Sequence, residues 1–146
     1  MPRLDAERLN LWRDWQRAAT LAERSIDEAL MESDEMPLAW FEVLATLQRA
    51  GGTMRVGELC TEVGAVPSSL SRRLDRLEQV SWVQRKPAPN STDGRAVDVT
   101  LTKEGREMWR DANVTYRRTV QQVFASRLTD TDIAAITRVL GKLSAE

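Results

Sequence analysis

The sequence predicts a mainly α-helical protein with a small β-wing, in which a winged helix-turn-helix is flanked by long N- and C-terminal helices. Leu70, Leu74 and Leu77 recur at helical spacing and define the buried face of a helix whose other face carries arginines. A short helical segment that ends at Gly64 precedes this helix, and from Val97 the apolar pattern alternates as in a strand. Two short helices followed by a hairpin are typical of a winged helix-turn-helix.

Length and composition limit the class of protein. With 146 residues, of which 42% are hydrophobic and 29% are charged, we expect one soluble globular domain with a modest core. No apolar run reaches the roughly 18 residues of a membrane helix, and charged residues break up any apolar segment near the N-terminus. We therefore expect neither a membrane anchor nor a signal peptide, and the single cysteine suits the cytoplasm.

The positive charge is unevenly distributed, although the formal net charge is only −1. Residues 1–36 hold five basic and nine acidic side chains, whereas residues 67–95 hold six basic and three acidic ones. The local field, rather than the total charge, governs how a protein approaches phosphate. The distribution favours residues 67–95 as the part that meets nucleic acid.

The chain contains no histidine. This excludes Ser-His and Cys-His catalysis, as well as metal sites built from histidine. The sequence also lacks a glycine-rich loop of the kind that cradles phosphates. We therefore predict that the protein is not an enzyme and that it uses no cofactor and no metal.

Helical patterns dominate the first third of the chain. Residues 4–31 predict one long helix with a broad apolar face and without internal glycine or proline. After a linker at residues 33–36, a second helix is predicted over residues 37–50, where Gly51 and Gly52 end it.

A helix-turn-helix follows. Residues 56–63 predict a short helix, and the connection at residues 64–66 has the length of a helix-turn-helix turn. Pro67 suits the first position of the next helix, because its missing N–H costs nothing there. Away from the leucines, this helix carries hydroxyls and guanidiniums, which bond phosphates and base edges. These groups belong to Ser68, Ser69, Arg72 and Arg76, with Arg73 on the flank. A solvated amphipathic helix without a ligand would show the same pattern.

The segment after this helix predicts a hairpin. Residues 97–101 alternate between apolar and polar side chains, which indicates a strand with one buried face. Its predicted partner is residues 82–86, across a loop at residues 87–94 that is rich in turn residues. Arg85, Lys86 and Arg95 make this hairpin a cationic wing.

Two helices are predicted after the wing. Thr102 is a fitting N-cap for a helix that continues to about Leu128. So long a helix in so small a protein cannot bury its whole length against one core, so we expect part of it to pack on another chain. Residues 129–132 resemble a capping box, and a last helix follows. Its apolar stripe consists of Ile133, Ile136, Val139, Leu140 and Leu143.

Four motifs stand in order along the chain: Leu77-Glu78, Val83-x-Arg85, Asp93-x-Arg95-Ala96 and Val99-x-Leu101-Thr102-x-x-Gly105. Together with the helix order, they resemble the MarR family of bacterial and archaeal transcriptional regulators over nearly the whole chain. The resemblance implies one compact domain with an N-terminal dimerisation helix (1–36), a winged helix-turn-helix DNA-binding region (37–102) and C-terminal dimerisation helices (103–146). It also implies a homodimer that binds a pseudo-palindromic operator in double-stranded DNA.

The resemblance assigns the DNA contacts to the recognition helix, which is the helix that begins at Pro67, and to the wing. Arg95 would enter the minor groove, and Asp93 would hold its guanidinium by a charge-assisted hydrogen bond. Alternatively, Asp93 only starts a turn with Gly94. Where the family usually has glycine after the recognition helix, this chain has Ser81, which adopts a left-handed conformation less readily. The implied DNA-binding residues are Pro67, Ser68, Ser69, Ser71, Arg72, Arg73, Arg76, Arg85, Lys86, Asp93 and Arg95.

The resemblance also implies an effector pocket bordered by the first two helices. Trp12, Trp15 and Trp40 fall on these helices, and aromatic walls suit a planar aromatic anion. Arg13 or Arg17 is a candidate counter-charge for such an anion. The alternative is that the three rings belong to the core of the domain or of the dimer.

We interpret the chain as a sequence-specific DNA-binding transcriptional regulator, namely a homodimeric repressor that a small-molecule effector releases. The competing interpretation is a winged-helix protein-interaction module that does not bind DNA, in which case its arginine face would be dispensable. Cys60 occupies an apolar position of a short helix, which favours a buried structural role over redox sensing.

Overall fold

A computed structural model describes residues 1–89 and 94–145 of the chain, and in it helices alternate with a small sheet. The helices are α1 (Ala6–Asp34), α2 (Leu38–Arg49), α3 (Val56–Val63), α4 (Pro67–Gln79), α5 (Lys103–Val123) and α6 (Asp130–Leu143). The strands are β1 (Thr53–Arg55), β2 (Val83–Pro87) and β3 (Val97–Leu101). The predicted fold class is confirmed. Among the described residues, no helix is both long and apolar enough to cross a bilayer.

The leucine face of α4 lies at the centre of the core. Leu70, Leu74 and Leu77 are almost completely buried and belong to one apolar cluster with Phe41 of α2 and Val99 of β3. A fully buried leucine contributes roughly 1.5–3 kcal/mol relative to an exposed one. Rotating α4 by half a turn would therefore lose several kcal/mol, which fixes the side of the helix that faces solvent.

The three strands form an antiparallel sheet in the order β1-β3-β2. Val99 of the central strand pairs with Met54 of β1 on one side and with Arg85 of β2 on the other. The hairpin of β2 and β3 is the predicted wing. Strand β1 was not predicted, because three residues are too few to show a period. The chain thus leaves the sheet after β1, forms α3 and α4, and returns to the same sheet at β2.

Two helix ends differ from the predicted ones. Helix α1 continues to Asp34 instead of ending near Met31, and Glu35 ends it in the left-handed conformation. Helix α5 stops at Val123, and a 3₁₀ turn at Ala125–Arg127 follows. Because neither glycine nor proline marks this second break, the sequence pattern did not reveal it.

Two predicted helix starts are confirmed by their hydrogen bonds. The Thr102 hydroxyl accepts the N–H of Gly105 at 2.9 Å and caps α5. Thr129 and Asp132 form a reciprocal capping box at the start of α6. The backbone N–H and the hydroxyl of Thr129 lower the pKa of the Asp132 carboxyl, because both bonds favour its charged form.

The turn between α4 and the wing is fixed against the start of α5. Ser81 adopts the left-handed conformation with φ of 65°, and its carbonyl accepts the Thr102 hydroxyl at 2.7 Å. The carbonyl of Trp82 accepts the Thr102 N–H at 3.0 Å. At Gly105, an added Cβ would lie 2.0 Å from that same carbonyl oxygen. Gly105 is therefore needed for the close approach of α5 to the base of the wing.

We expect Ser81→Gly to raise the free energy of unfolding by about 0.5–1 kcal/mol, because glycine adopts φ of 65° without a Cβ clash. Urea unfolding followed by circular dichroism measures this change. Ser71→Gly is the matched control, since Ser71 is exposed in the middle of α4, where glycine lowers helix stability. Equal stabilities of Ser81→Gly and the wild type would contradict the proposed backbone strain.

Candidate nucleic-acid interface

The face of α4 opposite its leucines is open to solvent. Val66 provides no side-chain cap, so the first N–H groups of the helix are available to an anion. The small hydroxyl side chains of the first turn leave room for a groove wall, and the arginines of the later turns supply positive charge. The predicted contact residues that are exposed on or beside this face are Pro67, Ser68, Ser69, Ser71, Arg72 and Arg76.

Arg73 differs from the other arginines of α4. It is half-buried, and its Nη1 donates to the carbonyl oxygen of Ala39 in α2 at 3.4 Å. The guanidinium is therefore turned toward α2 and away from the exposed face. A DNA contact by Arg73 stays a prediction that this orientation does not favour.

Arg85 is engaged by two carboxylates of α4. Its guanidinium bonds to both Glu78 and Asp75, and its backbone N–H donates to Glu78 at 3.0 Å. The backbone and side-chain bonds from Arg85 lower the pKa of Glu78, and the bond to Asp75 contributes most to raising the pKa of Arg85. The sequence placed Arg85 among the DNA contacts at the wing tip. Arg85 lies in the middle of β2, and its guanidinium is turned toward α4. A DNA contact by Arg85 therefore stays a prediction that this orientation does not favour.

The wing and the recognition helix line one open groove. It has a volume of about 790 Å³ and lies between α3, α4 and the hairpin. Ser71 of α4 and the exposed Arg95 of the wing line the same groove, and the exposed Lys86 lies on β2. Two predicted DNA contacts from distant parts of the sequence thus line one groove. Asp93, the predicted partner of Arg95, lies outside the described residues.

The residues predicted for an effector do not meet within one chain. Trp40 packs edge to face on Trp82, with ring centroids 5.7 Å apart, and lies beside the recognition helix. Trp15 lines a separate apolar groove between α1, the end of α5 and α6. Trp12, Arg13 and Arg17 are exposed on α1. The five residues thus line different surfaces of the chain, and an effector site built from them stays a prediction.

A different cavity lies between α2, α3 and α5, with a volume of about 470 Å³. Phe41 and Tyr116 stack in its wall with centroids 4.4 Å apart, and Arg49 and Arg117 also line it. The indole Nε1 of Trp109 is buried and has no hydrogen-bond acceptor among the described residues. No sequence pattern predicted this cavity, because its residues come from three elements and follow no motif.

Glu42 lines the same cavity from α2. Burial raises the pKa of its carboxyl, the nearby Glu23 raises it further, and Arg73 opposes both effects. A carboxyl with a raised pKa takes up its proton at a higher pH than usual, and in its protonated form it donates a hydrogen bond.

Cys60 is half-buried, and its thiol donates to the carbonyl of Ala65 in the helix-turn-helix turn, with Sγ 2.9 Å from the oxygen. This contact fits the structural role that the sequence favours. No group of three or more metal-binding side chains is present within residues 1–89 and 94–145.

Comparison with known proteins identifies relatives of this chain. A sequence profile of the MarR family matches residues 35–96. The chain is 32% identical over 106 residues to the HTH-type transcriptional regulator PecS of Dickeya dadantii, an alignment that covers 71% of this chain and only 62% of PecS. It is 31% identical over 121 residues to the multiple antibiotic resistance protein MarR of Escherichia coli, covering 83% of this chain and 81% of that protein.

A solved structure with the same fold contains DNA. It is a crystal structure of a MarR family transcriptional regulator from Streptomyces coelicolor in complex with DNA. The two chains superpose with a TM-score of 0.86 at 29% identity, over 97% of this chain and 92% of the other. The similarity therefore includes the long flanking helices as well as the winged region.

Proposed function

The chain belongs to the MarR family of transcriptional regulators, and from this premise we propose that it is a homodimeric repressor that binds a pseudo-palindromic operator in double-stranded DNA. The observation that carries the proposal is the exposed serine and arginine face of α4, held outward by three buried leucines. A related regulator of the same fold has been crystallised with DNA, which supports DNA binding by this chain.

In the proposed complex, the start of α4 enters the major groove. Arg72 and Arg76 bind phosphates or base edges, and Arg95 reaches the minor groove beside it. In a dimer, the two recognition helices must match the repeat of B-DNA, which is about 34 Å. Occupation of the operator excludes other proteins from the same duplex, which is the physical basis of repression.

The proposed dimer uses residues 1–36 and 103–146. Leu11, Trp12 and Leu21 of α1 expose more than half of their surface in a single chain. Helix α6 has no buried residue, although it carries the predicted apolar stripe. Exposed apolar side chains that cluster on one surface mark interaction sites. A second copy of the chain presents the same two surfaces, and a twofold arrangement of α1, the end of α5 and α6 covers both.

The proposed effector is an aromatic carboxylate bound in the cavity between α2, α3 and α5. Phe41 and Tyr116 offer aromatic surface, Arg117 offers a counter-charge, and the unpaired indole N–H of Trp109 offers a donor. The cavity separates the winged region from α5, so a ligand there biases the distance between the two recognition helices.

We expect Arg72→Ala combined with Arg76→Ala to weaken binding to a duplex selected from a random-sequence pool by at least about 30-fold, because each lost contact costs roughly 1–3 kcal/mol. Arg95→Ala should also weaken binding without lowering thermal stability. Fluorescence anisotropy at several salt concentrations measures both effects. The wild type should release at least about four counterions if two winged regions contact the duplex.

Arg110→Ala combined with Arg138→Ala is the matched control, since it removes two exposed arginines from α5 and α6. A shallower salt dependence of the wild type, or equal losses for the two double variants, would count against DNA binding. The protein-interaction module would then be the better interpretation.

We expect sedimentation equilibrium at micromolar concentration to give the mass of two chains, and Leu140→Asp to shift it toward one chain. A carboxylate on the apolar stripe of α6 is costly to bury in an interface. Ala134→Asp is the control, because Ala134 is exposed on the opposite face of α6. A wild-type protein that stays monomeric would overturn the dimer, and an equal effect of both variants would exclude the stripe from the interface.

We expect benzoate to bind in isothermal titration calorimetry and to weaken operator binding, whereas benzamide and cyclohexanecarboxylate do so less. The neutral amide lacks the charge for Arg117, and the saturated ring lacks the aromatic face. Trp109→Phe should reduce benzoate affinity several-fold while operator binding without benzoate is kept. Equal binding of the three compounds, or no effect of Trp109→Phe, would contradict this assignment of the cavity.

A further inference from the structure

Arg85 joins the wing to the recognition helix through a compact ion cluster. Its Nε and Nη2 donate to Oε2 of Glu78 at 3.2 and 2.9 Å, and Nη2 also donates to Oδ1 of Asp75. Its backbone N–H donates to the other oxygen of Glu78 at 3.0 Å. Because one bond comes from the main chain, the Glu78 carboxylate holds strand β2 itself, and not only a side chain, against α4.

The cluster also determines the charge next to the exposed face of α4. Asp75 and Glu78 lie about one turn apart on the recognition helix, where uncompensated carboxylates repel phosphate. Only 26% of the Arg85 side chain is exposed, compared with 54% of Asp75. Although Arg85 also lines the groove that contains Arg95, its guanidinium is engaged by both carboxylates and compensates their charge.

The position of Arg85 in the sheet couples the ion cluster to the orientation of the wing. Arg85 pairs in register with the buried Val99 of the central strand. The hairpin continues from this pair toward the tip, where Arg95 is exposed. A change in the angle between β2 and α4 therefore displaces Arg95 more than Arg85, because Arg95 lies farther along the hairpin than the pair of Arg85 and Val99.

We propose that Arg85 is a positioning residue that sets the angle of the wing against the recognition helix, so that Arg95 and the start of α4 can contact one duplex together. This inference rests on the proposed DNA-binding function. It differs from a direct contact of Arg85 with phosphate, which the cationic pattern of the wing suggests at first sight. The two roles give opposite expectations for the removal of Glu78.

If Arg85 bound phosphate, Glu78→Ala would free its guanidinium and remove a repulsive charge, so DNA binding would become tighter. If Arg85 positions the wing, Glu78→Ala removes three of its hydrogen bonds and binding becomes weaker. Glu58→Ala is the matched control. Glu58 is an exposed glutamate that lines the groove between the wing and the helices, and the structure gives it no bond to Arg85.

The experiment measures the affinity of the full chain for the selected duplex, and hydroxyl-radical footprinting of that duplex reports on the minor groove. We expect Glu78→Ala and Arg85→Gln each to weaken binding at least about fivefold, and the double variant to be no weaker than Arg85→Gln alone, since both act on one contact. Glu58→Ala should bind as well as the wild type or up to about threefold more tightly.

The Arg95→Ala background separates positioning from general loss of structure. There, Glu78→Ala and Arg85→Gln should change the affinity less than about twofold, because the contact they position is already absent. In the wild-type background, both variants should lose protection of the minor groove while they keep protection of the major groove. Thermal unfolding is measured for each variant, so that unfolding is distinguished from displacement of the wing.

Tighter binding of Glu78→Ala, additive effects of Glu78→Ala and Arg85→Gln, or full effects in the Arg95→Ala background would overturn the positioning role. Loss of both groove contacts together would also overturn it. If the wild type bound no duplex, the proposed function itself would fail, and this result is obtained before any variant is compared.

Discussion

The burial of Leu70, Leu74 and Leu77 is the constraint on which the rest of the structure depends. Their cluster with α2 and β3 fixes the rotation of α4, and this rotation alone decides that the serines and arginines face outward. The sheet then holds the wing beside that helix. The start of α5 holds the turn between them through hydrogen bonds to Ser81 and Trp82. Recognition helix, wing and flanking helix are thus connected through short contacts around one apolar centre.

Features that depend on neighbouring positions could be predicted from the sequence. The periodicity of the leucines gave α4 and its exposed face, the N-cap at Thr102 gave the start of α5, and Gly64 gave the end of α3. The alternating pattern near Val99 gave the wing. Each of these signals is local, because the side chain that carries it acts within a turn or two of its own backbone.

Features that depend on distant partners could not be predicted. The sequence shows that Arg85 is basic, but not that two carboxylates of α4 already bind it. It shows that tryptophans are frequent, but not that Trp40 meets Trp82 while Trp15 lies in another groove. The cavity beside Trp109 also depends on distant parts of the chain, since its wall combines α2, α3 and α5. The type of a side chain indicates what it can bind, whereas the tertiary fold decides whether a partner within the protein already binds it.

The contact between Trp40 and Trp82 provides an intrinsic spectroscopic signal for the position of the wing. The two indole rings meet at an interplanar angle of 84°, one on α2 and the other in the turn between α4 and the wing. Electronic coupling between chromophores this close changes steeply with their separation and tilt. The near-ultraviolet circular dichroism of the unlabelled protein therefore reports on a change in the angle of the wing, without any fluorophore attached to α4 or to the wing.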